Sequence, residues 1–149
     1  MAVVLAFVVG CSSDGTKTTA EEHSDIIVNC IKENDANTLE EMFCSYIRDN
    51  HKLVEEIEGA FEFIDGKIVS EGDKHYLDET GGSIENGKIV SSRIQPEIRN
   101  LKTDSDKEYT ITFNEYLINT EKPDYTGITR ITITNEMGLN YTIGEVITA

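Results

Sequence analysis

Between Glu22 and Gly66 the apolar residues of this chain recur every three or four positions, and from Lys67 onward they recur every second one. The first rhythm predicts helices. Wound at 100° per residue, Ile26, Ile27, Cys30 and Ile31 share an arc of roughly 140°, as do Leu39, Met42, Phe43, Tyr46 and Ile47. Leu53, Ile57, Ala60, Phe61 and Ile64 form a third, narrower stripe. Thr19 with Glu22, and Asn37 with Glu40, have capping-box spacing, so the first two helices are expected to begin near residues 20 and 38. The third is expected from about Asn50 to Ile64, ending at Asp65-Gly66, where glycine can take the left-handed conformation. Gly59 inside it lowers helix propensity and leaves room for close packing.

The second rhythm predicts strands. Ile68-Val69-Ser70 and His75-Tyr76-Leu77 are short candidates, and Asn86-Gly87 between Ile84 and Ile89 has the sequence of a two-residue hairpin. Lys88 to Leu101 reads as one strand interrupted by Pro96, which implies a bulge or an edge. Tyr109, Ile111, Phe113 and Leu117 alternate with Thr110, Thr112, Asn114 and Tyr116. Ile131 and Ile133 repeat the pattern, and Tyr141, Ile143, Glu145 and Ile147 line a closing strand after Met137-Gly138. Helices followed by an antiparallel meander make an α+β domain, with one face of a curved sheet packed on the helices.

The first ten residues belong to neither rhythm. Residues 1–9 are almost wholly apolar, too few to span a bilayer, and lead into Gly10, Cys11 and a polar run. Val8-Val9-Gly10-Cys11 resembles the lipobox of bacterial lipoproteins, which implies a diacylglyceryl group on Cys11 and removal of the leader before it. No Lys or Arg precedes the apolar run, which departs from the usual signal peptide. The resulting division is a leader over 1–10, a lipidated cysteine and flexible tether over 11–20, and one domain over 21–149, placed at the extracytoplasmic face of a bacterial cell membrane.

The order of elements resembles the cone-shaped superfamily that includes nuclear transport factor two and ketosteroid isomerase. The run Phe61-Glu62-Phe63-Ile64-Asp65-Gly66-Lys67-Ile68-Val69-Ser70, after a lipobox and short helices, is similar to a family of small Gram-positive lipoproteins known only as a domain of unknown function. That family has no assigned catalytic residues. The superfamily hosts enzymes, binders and interaction modules, so the resemblance implies a fold and leaves the activity open. By the same analogy, the open sheet face offers a homodimer surface.

Charge then narrows the partners. Asp and Glu number 28 against 13 Lys and Arg, a formal charge of −15, which repels phosphate backbones and argues against nucleic acid. Cys30 and Cys44 could close a loop worth about 3 kcal/mol as a disulfide, or stand as two buried thiols.

Three histidines are available for acid–base work: His23 at the helical angle of Ile27 and Cys30, His51 at a helix start, and His75 at a strand end. A cavity enzyme would need a carboxylate and hydrogen-bond donors converging in an apolar hollow. Glu115 and Glu145 interrupt apolar rows, and Tyr76, Tyr109 and Tyr141, with Phe61 and Phe113, are the candidate lining. Asp104, Asp106 and Glu108 alternate, but Tyr109 stands where a calcium loop needs glycine. No metal, cofactor or catalytic set is assigned. The reading is a lipid-anchored module binding an unidentified protein or small ligand without catalysis. Its rival is a ketosteroid-isomerase-like or dehydratase-like enzyme using a carboxylate with His or Tyr.

Overall fold

A computed structural model describes residues 13–76 and 81–146. The leader, Cys11, Leu77 and Ile147 lie outside them. Four helices come first: α1 (Ser13–Glu33), α2 (Ala36–Glu41), α3 (Ser45–Asn50) and α4 (Leu53–Phe63). Seven strands follow: β1 (Asp73–His75), β2 (Gly82–Glu85), β3 (Lys88–Ile94), β4 (Glu97–Lys102), β5 (Glu108–Asn119), β6 (Gly127–Asn135) and β7 (Asn140–Ile143). They form one curved, unclosed antiparallel sheet behind the helices, an α+β fold.

β5 is the axis of that sheet. Along one edge it pairs first with β4 and then with β3; along the other it pairs with β6, which carries β7. β3 and β4 are the two halves of the single strand expected over residues 88–101, broken at Gln95-Pro96, where proline has no amide hydrogen to give to the ladder. The Pro96 carbonyl still accepts from the Phe113 N–H at 3.2 Å, so the ladder crosses the break. The hairpin at Asn86-Gly87 forms as its sequence predicts, with φ of 49° and 76° and Glu85 opposite Lys88. Residues 68–70 form only an isolated bridge from Ile68 to Thr103, and the strand expected at His75 ends there.

The helices differ from expectation in three places. α1 begins at Ser13, not near residue 20, so helical backbone extends into the segment expected to be a tether, and Thr19 donates to the Gly15 carbonyl within it. Its buried residues are Ala20, Ser24, Ile27, Val28, Cys30 and Ile31, while Ile26 faces solvent. α2 is capped by Asp35, whose carboxylate accepts from the Thr38 N–H and hydroxyl, rather than by Asn37. The second amphipathic pattern is two helices: at Met42–Cys44 the chain leaves the helix and bonds to the start of β6 through Ile128. Leu39, Phe43 and Ile47 stay buried across that break, which is why the periodicity alone did not disclose it.

The core joins both layers. Ile27, Leu39, Ile47, Ile57 and Ala60 from the helices are buried with Ile98, Leu101, Ile111, Phe113, Ile131 and Ile133 from the sheet. Ile64 is buried and Phe61 packs against the same cluster. Gly59 has no side chain where a Cβ would collide with the Tyr141 hydroxyl, the close packing its position implied. Cys30 and Cys44 are both buried and free, and burial raises both thiol pKa values. Among the described residues no helix is long and apolar enough to cross a membrane.

Candidate functional site

Regular alternation along β5 sends Tyr109, Ile111 and Phe113 into the core, and it would send residue 115 there too. That residue is glutamate. Glu115 is 6% exposed, opposite Ile94 on β3 and Ile128 on β6. A bulge falls beside it, because the pairing with β6 shifts between Asn114 and Glu115, and pairing with β3 shifts between Ser92 and Arg93. α1 supplies its partner: His23 Nδ1 lies 2.8 Å from Glu115 Oε2. Burial raises the Glu115 pKa, opposed by the hydrogen bond and charge of His23. The other carboxylate oxygen and His23 Nε2 have no hydrogen-bond partner among the described residues.

On the same part of the sheet a depression of about 440 Å³ opens to solvent. Glu115 contributes to its wall, with Ser91 and Arg93 from β3, Asn114, Tyr116 and Asn119 from β5, Thr129 from β6, and Val146. The turn after β5 closes one side with Glu121, Lys122 and Tyr125. That turn holds its shape through a short 3-10 segment, Pro123–Tyr125, and through the Asn119 side chain, which accepts from the Lys122 N–H. Lys122 Nζ stands 5.0 Å from the centre of the Tyr125 ring, and that ring packs on Tyr46 of α3.

The other residues expected to line one cavity are scattered. Phe113 and Tyr109 are core, and the Tyr109 hydroxyl accepts from the Asp65 N–H. Tyr141 packs on Phe63 beside Gly59. Phe61 borders a different recess of about 300 Å³, with Ile31, Lys32 and Lys67. Glu145 is exposed beside Arg130 at 3.8 Å, as a residue at the sheet's margin should be. The Tyr76 hydroxyl is buried without a hydrogen-bond partner, while Ser24, close to it, donates to the Ala20 carbonyl. Of the seven, only Glu115 reaches the larger depression.

His51 has a different use. Its Nδ1 lies 2.8 Å from Glu56 Oε1, the other Glu56 oxygen accepts from the Gly144 N–H at 2.7 Å, and Nε2 lies 3.0 Å from the Glu145 carbonyl. This fastens α4 to the chain leaving β7. Asp104, part of the alternating acidic run, accepts from the Lys67 N–H. Among the described residues no group of three His, Cys, Asp or Glu side chains is placed to hold a metal.

Sequence reasoning paired no residue with His23 and did not single out Arg93, Tyr116, Lys122 or Tyr125. Arg93 and Tyr116 are opposite one another in the β3–β5 register, which no periodicity in a single strand can disclose. Residues 26–136 of the chain match the family described as a domain of unknown function, DUF5104. No curated protein matches it.

Proposed function

The chain belongs to the DUF5104 family, and from that premise we propose that it is a lipid-anchored binding module. Cys11 would carry the anchor, placing the domain at the extracytoplasmic face of a bacterial cell membrane, where it holds a small ligand and performs no chemistry on it. The depression beside β3 and β5 supports this reading: its 440 Å³ suits a small molecule, and its wall is rich in side chains that donate hydrogen bonds. Two measurements test it. Globomycin should leave the leader uncleaved in native cells, and incorporation of labelled palmitate should require Cys11; an unlipidated native protein refutes the address. Titration of the full-length chain with small metabolites should shift the amide resonances of Asn114, Tyr116 and Tyr125 saturably. If none of the compounds does so, the depression is not a binding site.

One observation favours a second reading. A buried carboxyl group biased toward its neutral form and hydrogen-bonded to an imidazole is the kind of pair that moves protons in cavity enzymes. On that reading, Glu115→Gln would abolish turnover of a ligand found for the depression while leaving its affinity within a few-fold; a chain that returns every ligand unchanged is a binder.

A further inference from the structure

The geometry points to an anion as the occupant of the depression: a small molecule bearing a carboxylate or phosphate, received between Arg93 and Lys122. The inference rests on the reading of that depression as a ligand site. The chain has 28 acidic and 13 basic residues, so a cation on its surface has many carboxylates available to it. Lys32, Lys52, Lys74, Arg99, Lys107 and Arg130 each have one within 4.0 Å. Arg93 and Lys122, like Lys17, Arg48, Lys67, Lys88 and Lys102, have none among the described residues, and what sets these two apart is that they line one hollow together.

Both cations are placed by their surroundings. The Arg93 guanidinium lies against Gly81, whose carbonyl also accepts from the Arg93 N–H at 2.8 Å. Lys122 is stationed over the Tyr125 ring. Neither side chain must be drawn out of an ion pair with a described residue before a ligand can use it, which lowers the cost of binding. Two carboxylates also line the hollow. Glu115 is engaged by His23, and burial disfavours its charge, so it opposes an incoming anion less than a free glutamate would. Exposed Glu121 is the remaining negative group. Two cations thus face two carboxylates in this hollow, against 13 basic to 28 acidic residues in the whole chain, so it repels an anion less than the surface at large. Neutral groups complete the site: the Asn114 amide and the Ser91 hydroxyl, which shares a 3.0 Å hydrogen bond with the Ser83 hydroxyl, suit the oxygens of such a group.

The test is titration of the isotopically labelled full-length chain in non-ionic detergent micelles, followed by amide resonances at constant ionic strength. Citrate and succinate supply the carboxylate arm, inorganic phosphate and glycerol phosphate the phosphate arm, and glycerol and choline chloride the neutral and cationic controls. Saturable shifts at Ser91, Asn114 and Tyr116 are expected with at least one anionic arm and with neither control, and the arm that saturates at lower concentration identifies the anionic group. Arg93→Gln and Lys122→Gln should each weaken that binding about tenfold, the loss of one charge-assisted contact. Saturation by glycerol or choline but by neither anionic arm overturns the anion assignment and leaves a binding site standing. Unchanged affinity in both variants overturns it as well. Silence in every arm overturns both the assignment and the binding site.

Discussion

The two histidine–carboxylate pairs have the same hydrogen-bond length, 2.8 Å, and opposite surroundings. In the pair His51–Glu56, the second carboxylate oxygen meets the Gly144 amide and the second ring nitrogen meets the Glu145 carbonyl, so every polar atom is spent joining α4 to the end of the sheet. In the pair His23–Glu115, one oxygen and one ring nitrogen have no partner among the described residues, and the carboxylate is more deeply buried. A pair whose remaining bonds all go to backbone is a fastening. A pair with capacity left over, whose carboxylate lines a hollow, is the one the proposed ligand site would use.

The difference can be broken first at the fastening. Glu56→Ala removes the partner of His51 and of the Gly144 amide, and should destabilise the fold by about 2 kcal/mol in urea unfolding. A loss below about 0.5 kcal/mol would mean that water replaces those bonds at no cost and that the two pairs do not differ in kind. Glu115→Gln is the sharper, smaller test. Because the folded pKa of Glu115 is raised, the proton is held more tightly folded than unfolded; stability is full below the ordinary value of 4.5 and declines as pH rises through the raised one. The glutamine variant should lack that decline, and urea midpoints measured from pH 4 upward read it directly. Parallel profiles for the two proteins would show that Glu115 is not penalised by its burial. The smallest effect belongs to Arg93→Gln, which should change stability by no more than about 0.5 kcal/mol, since its guanidinium makes no ion pair among the described residues and lies at the surface. A larger loss would make the depression part of the framework.

What could be read from the sequence follows the range of the interactions. The hairpin at Asn86-Gly87, the break at Pro96 and the alternation along β5 depend on neighbours within a few positions, and each stands where its residues place it. The split between α2 and α3 depends on Ile128, far along the chain, whose backbone competes for the amide and carbonyl groups of Met42–Cys44. For the same reason, the outer part of the candidate site was out of reach. Glu115 was conspicuous as a charge in an apolar row, but its partner His23 is 92 positions away, and Arg93 meets Tyr116 only through the register of two strands. The other aromatic candidates were conspicuous for apolar bulk, and apolar bulk mostly belongs to the core, where Tyr109 and Phe113 are found.

The outermost strands of the sheet are also its shortest: β1 has three residues, and β2 and β7 have four each, against twelve in β5. An unprotected long rim would invite chain-to-chain ladders. Rims this brief give a neighbouring copy too few consecutive amides on which to extend a ribbon, so the sheet can stay open without seeding aggregates.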